Sequence, residues 1–183
     1  MTVLIGIVED NVMYLAADSI GASQHYKEVR KDSKIFRKKD MLISCTHTFR
    51  FRDIVKHELE LPEHPKKMSV EKYIITKFIS SLRELQKKLG HLGSDKDGDL
   101  GCGLLIAYRG NLIRIESDFQ YAQHRMEYDS LGSGQNLARA SLYSTSFYNI
   151  DPKTRMRLAF ESCRMYQNGC CEPPYIIKKL ERK

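Results

Sequence analysis

Three polar residues near the start of the chain, Thr2, Asp18 and Lys34, stand where apolar runs begin or end. A threonine at position 2 becomes a reagent if Met1 is removed. It then holds a hydroxyl and a free α-amine on one residue. A free α-amine has an ordinary pKa of about 7.7–8.0, close to what a general base needs near neutral pH. It can take the hydroxyl proton directly or through a water, so the nucleophile brings its own base and no histidine is required. A neighbouring Lys34 ammonium favours the neutral amine and the developing alkoxide, and Asp18 keeps that lysine charged and in place. With Met1 retained the Thr2 nitrogen is an amide, and the mechanism fails. The plain alternative is a threonine that only opens a strand, beside an ordinary surface ion pair.

These residues need elements that bring them together. Residues 2–8 and 12–18 are rich in Val, Ile and Leu and flank Glu9-Asp10-Asn11, which predicts a β-hairpin. Thr2 and Asp18 are then its two open ends, side by side. A polar span follows over 19–33. Lys34 to Phe36 and Met41 to Cys45 read as short strands about a Lys38-Lys39-Asp40 turn, with Lys34 returning to the same sheet edge. Phe51, Ile54, Val55 and Leu59 recur at helical spacing, and Leu61 to Pro65 breaks the helix. Ser69 is an N-cap for a long amphipathic helix from Val70 to Leu89, whose stripe is Tyr73, Ile74, Phe78, Ser81, Leu82, Leu85 and Leu89. Residues 90–103 form a connection; Asp95, Asp97 and Asp99 there lack the spacing and the closing glutamate of a calcium loop.

Residues 104–108 and 112–115 predict a second hairpin, and 128–134 a strand ending in a tight turn. Residues 135–145 and 152–166 read as helices, the latter opened by Asp151-Pro152. Tyr175 to Ile177 and a charged tail finish the chain. Strand blocks alternating with pairs of helices predict an α+β fold, two antiparallel sheets stacked face to face and covered by helices outside.

The totals exclude other classes. The length of 183 residues suits one domain, residues 1–183. No apolar run approaches the ~20 residues of a membrane helix. The first residues have no basic segment and are interrupted by Glu9, Asp10 and Asp18, unlike a signal peptide, so a cytoplasmic protein is expected. Five cysteines are an odd count without zinc spacing; Cys45, Cys102 and Cys163 read as core residues, and neither metal nor cofactor is expected. The formal net charge is +7, densest over Lys27 to Lys39. That run reads as a solvated edge, and a nucleic-acid role rests on the charge alone.

Thr2-Val-Leu-Ile-Gly6, Leu15-Ala-Ala-Asp18-Ser19, Lys34-Ile35 and Leu131-Gly-Ser-Gly134 running into an alanine-containing helix resemble the proteasome β-subunit family, a branch of the N-terminal nucleophile hydrolases. Asp18 and Lys34 follow Thr2 by 16 and 32 residues, the family intervals. The small size is similar to that of the simple bacterial HslV-like peptidases. The resemblance implies a four-layer αββα sandwich, peptide hydrolysis through an acyl-enzyme ester, and a ring-shaped homo-oligomer, with an ATP-dependent unfoldase as a further partner. It implies Thr2 as nucleophile and base, Asp18 and Lys34 as the support pair, and Ser133 as the serine that positions amine and water. Mapped onto this chain, the resemblance implies that the Thr48 backbone N–H takes the oxyanion role and that Asp32, Cys45, Thr46 and Phe49 line the substrate pocket. Activation by removal of Met1 alone is expected.

Two departures stand out. Cys45 to Phe49 contains no glycine where the family has a glycine-bearing oxyanion turn, and His47 there reads as structural or pocket-lining. Arg164 to Gly169 lacks the late Asp and Ser-Gly-Gly of many members, so part of the support shell is expected to be missing. Alternatives therefore stay open. One is a non-catalytic ring or binding subunit that keeps Met1, and another is a small-molecule amidase. Thr2→Ala and Lys34→Ala are expected to abolish hydrolysis and leave folding largely intact.

Overall fold

The apolar runs near the N-terminus become strands because they alternate between two buried faces. In the computed structural model, which describes residues 2–22, 25–46, 48–89, 103–168 and 171–181, β1 (Val3–Glu9) and β2 (Val12–Ala17) pair antiparallel from Leu4↔Ala17 to Glu9↔Val12. Asp10 and Asn11 form the turn, both at positive φ (49° and 62°). That twist matches the right-handed twist of the strands, and Asp and Asn tolerate it better than most side chains. A ribbon of β3 (Ile20–Ala22) and β4 (Lys27–Val29) occupies the polar span that the sequence leaves without structure. Next come β5 (Ile35–Lys38) and β6 (Met41–Cys45).

Helix α1 (Phe49–Glu58) opens on the Thr48 hydroxyl, which accepts from the Phe51 N–H. The Val70–Leu89 helix forms as expected, in three parts. Helix α2 (Val70–Tyr73) runs through a π-helical stretch, Ile74–Phe78, into α3 (Ile79–Leu89). Its buried face is Tyr73, Ile74, Phe78, Ile79, Leu82 and Leu85; Ser81 is half-buried, and the Leu89 side chain lies outside the described residues. So do residues 90–102, with Cys102 and the three aspartates assigned to a turn.

Strands β7 (Leu104–Tyr108) and β8 (Asn111–Ile115) form the second hairpin, and β9 (Tyr121–Ala122) adds a short edge. After β10 (Tyr128–Gly132) come α4 (Gln135–Thr145) and α5 (Pro152–Tyr166), the latter capped by Asp151. The C-terminal expectation fell short. Strand β11 (Ile176–Glu181) runs through the charged tail and pairs with the whole of β2. Its lysines are tolerable because β11 is an edge strand, while Leu180 still reaches the core.

One sheet has the order β10-β1-β2-β11 and the other β5-β6-β7-β8-β9. Leu4, Leu15 and Ala17 from the first share a core cluster with Ile35, Leu42, Leu105 and Ala107 from the second. On its other face the first sheet presents Val3, Ile5 and Ile7 to Leu142, Met156 and Phe160 of α4 and α5. The second presents Met41, Ile43 and Ile106 to Phe51, Val55, Ile74 and Phe78. The chain is therefore α+β with antiparallel sheets, as expected. No helix is long and apolar enough to cross a membrane among the described residues.

Candidate active site

Thr2, Asp18 and Lys34 each lie one residue outside a strand: before β1, after β2 and before β5. They are thus strand-end residues, not the terminal strand positions the sequence suggests, and their side chains escape the alternation that governs the core. The Asp18 carboxylate is fully buried. Its Oδ1 accepts the Val3 N–H at 2.9 Å, and its Oδ2 accepts the Lys34 ammonium at 2.9 Å and the Ile20 N–H at 3.3 Å. Lys34 is itself only 4% exposed. A buried ion pair persists when further hydrogen bonds satisfy it, and here two backbone donors do so. Because one of those donors is the residue after Thr2, Asp18 ties the Thr2–Val3 peptide to the lysine.

Ser133 closes the other side. Its Oγ lies 3.4 Å from the Thr2 nitrogen, which donates to it, and donates at 3.3 Å to the Thr2 carbonyl. The approach depends on Gly132, at φ +105°, where a Cβ would sit 2.1 Å from the Thr2 carbonyl oxygen. No side chain fits there, and the positive φ independently favours glycine.

Thr2, Lys34, Cys45, Thr46, Thr48, Phe49 and Arg52 line one small pocket. Three of the four expected pocket residues, Cys45, Thr46 and Phe49, are therefore among its walls, together with Thr48. Thr46 is pinned to Gly103, donating from its backbone N–H at 3.0 Å and accepting the Gly103 N–H on its hydroxyl at 2.8 Å. Burial pushes the Cys45 thiol far above its usual range, so it stays protonated and serves as an apolar wall. Asp32, the fourth, is not among the lining residues. Its carboxylate is held by Arg30, through Nε at 3.0 Å and Nη2 at 2.9 Å, and by Arg52 at 2.7 Å. The Arg30 hydrogen bonds, and then those of Arg52, lower its pKa to about 2. His47 lies outside the described residues.

Arg52 is the pocket residue that sequence reasoning missed. Its guanidinium is almost fully buried, 4.9 Å from the Phe49 ring centroid, with Arg30 at 4.0 Å from the same ring. The signal was present: Arg52 falls between Phe51 and Val55 on the buried face of α1. A search for apolar periodicity passes over a charged residue on such a face. Among the described residues, no three histidine, cysteine or carboxylate side chains converge as metal ligands would.

No protein-family model and no curated protein matches the chain. Solved structures do. The structure of Thiobacillus denitrificans BPH in complex with epoxomicin aligns over 100% of both chains, with a TM-score of 0.83 and 18% identity. Eukaryotic HslV from Trypanosoma brucei aligns over 98% of this chain and 99% of its own, with a TM-score of 0.70 and 13% identity. Anbu, an ancestral β-subunit from Yersinia bercovieri, aligns over 98% of this chain and 81% of its own, with a TM-score of 0.68 and 13% identity. The likeness to the proteasome β-subunit family thus stands at the level of the fold.

Proposed function

We propose that this chain is a threonine-type peptidase whose nucleophile is Thr2, freed at its amine by removal of Met1. The observation that carries the reading is the buried Lys34–Asp18 pair, which is anchored to the residue after Thr2 and whose lysine shares a pocket with Thr2. The Thr2 Oγ1 attacks the carbonyl carbon of a peptide bond while its proton passes to the α-amine. The Lys34 ammonium keeps that amine neutral beforehand and favours the alkoxide as it forms. The tetrahedral oxyanion is met by the backbone N–H of Thr48. The C–N bond then breaks, the leaving amine takes the proton from the Thr2 ammonium, and an ester to Thr2 remains. Water, deprotonated by the same amine, attacks the ester and returns Thr2 with the free acid. Ser133 orients the amine and the water.

In this reading residues 1–183 form one αββα domain, the three separate core clusters being those such a four-layer stack requires. The domain assembles in the cytoplasm into a ring of identical copies that encloses the sites and acts on peptides or on chains delivered by an unfoldase. The test is intact mass combined with epoxomicin, the compound complexed with the T. denitrificans neighbour. The expected result is loss of Met1 and one added equivalent of epoxomicin on the wild type, with no addition to Thr2→Ala. Met1 retained on a wild type that never reacts would sink the peptidase and leave a ring-building or binding subunit.

A further inference from the structure

Between the Lys34 turn and helix α1 lies a single buried guanidinium. Its Nη1 donates to the backbone carbonyls of Asp32 at 3.2 Å and Ser33 at 3.1 Å, the two residues directly before Lys34. The same nitrogen is 2.7 Å from the Asp32 carboxylate. On the other side Nε donates to Asp53 at 2.9 Å, and Nη2 also contacts that carboxylate. Its carrier, Arg52, stands one helical turn after Thr48, whose carbonyl accepts the Arg52 N–H at 3.3 Å. The face of Phe49 closes one side of the guanidinium.

We infer that Arg52 is a positioning residue which locks the Lys34 ammonium and the Thr48 N–H into one rigid unit across the mouth of the pocket. This rests on the peptidase reading above. The two groups directly precede separate elements, β5 and α1, and the proposed chemistry needs both aligned on one carbonyl: the cation beside the attacking oxygen, the N–H on the developing oxyanion. A planar fork with donors on two edges can hold two carbonyls and two carboxylates at once, which a lysine ammonium cannot. The guanidinium is buried while its carboxylate partners Asp32 and Asp53 remain part-exposed, so the arginine end of the clamp is the one held away from water. Asp32 is then a partner of the clamp instead of a pocket wall, and its hydrogen bonds to Arg30, then to Arg52, keep it ionised further into acid than an ordinary aspartate. Arg52 touches no reacting atom in this scheme. Its influence falls on geometry in the transition state, where a displacement of about 1 Å costs about 10²-fold in rate.

The experiment compares wild type, Arg52→Lys and Arg52→Met by thermal unfolding, by peptide hydrolysis and by the rate of epoxomicin addition to Thr2. Arg52→Met is expected to lower kcat by about 10²-fold. Arg52→Lys is expected to lower it by about tenfold. In both, KM should change by less than about twofold, the signature of an interaction expressed in the transition state. The rate of epoxomicin addition should fall in parallel with kcat. Folded variants with unchanged kcat, or with the loss confined to KM, would overturn the assignment. If neither variant folds, the role is structural and the positioning claim falls. A wild type inert to epoxomicin and to peptides fails differently: it removes the peptidase reading itself.

Discussion

At the scale of single residues, the Lys34–Asp18 pair has a larger structural share than its chemistry alone suggests. Both groups are buried, so removing one leaves the other charged and desolvated. Lys34→Ala is therefore expected to cost about 3–5 kcal/mol of stability as well as activity. That cost runs against the expectation from sequence that folding would be largely spared. A denaturant-unfolding midpoint measures it, and a midpoint equal to wild type would mean that the pair is solvated. Gly132→Ala should be as damaging for a different reason. Its Cβ would overlap the Thr2 carbonyl, and the left-handed backbone adds about 1–3 kcal/mol of strain. Full activity at full thermal stability would show that the turn relaxes without moving Thr2. Thr2, Asp18 and Lys34 were legible in the chain because each sits beside a strand whose apolar pattern is plain, whereas Ser133 was singled out only through the family resemblance. Arg52 was not read, since apolar periodicity marks Phe51 and Val55 and passes over the charged residue that shares their face.

At the scale of elements, local patterns did most of the work where a single period dominates. Helices α4 and α5 begin and end where their small-residue run and Asp-Pro start predict. The failures are at sheet edges. Strand β11 carries two lysines in succession, and β3–β4 and β9 are short and polar or half-exposed; such strands are defined by the neighbour they pair with, which no local window contains. The edge status of β11 does not make it dispensable. Leu180 reaches the cluster shared by the two sheets, so Leu180→Ala is expected to cost about 2–5 kcal/mol. Chemical denaturation would detect this, and a change below about 0.5 kcal/mol, typical of surface sites, would place β11 outside the cooperative core.

At the scale of the whole molecule, one aspartate and one tyrosine contribute to stability at opposite ends of the pH range. Asp32, lowered to about 2 by Arg30 and Arg52, is below the ordinary value of about 3.9. Its contribution is present above about pH 4 and is lost as pH falls towards 2. Tyr108, on the central strand β7, runs the other way. Burial, then the nearby Asp40 charge, raises it to about 12, above the ordinary value of about 10. Its contribution is complete below about pH 10 and fades as pH rises through about 12. Unfolding followed across pH should therefore show an acid limb that Asp32→Asn flattens and an alkaline limb that Tyr108→Phe flattens; limbs unchanged in those variants would assign both to other groups. The order of the sheets themselves was beyond the sequence, because the β1–β10 pairing joins residues more than a hundred positions apart.

That long span has a biological corollary. Ser133, which the peptidase reading assigns to orienting the Thr2 amine, follows Thr2 by 131 residues, and the β1–β10 pairing that places it spans a similar distance. On that reading a chain made only part-way from Thr2 to Ser133 would hold the proposed nucleophile without the hydroxyl proposed to aim it, so activity would wait on the pairing of β10 with β1.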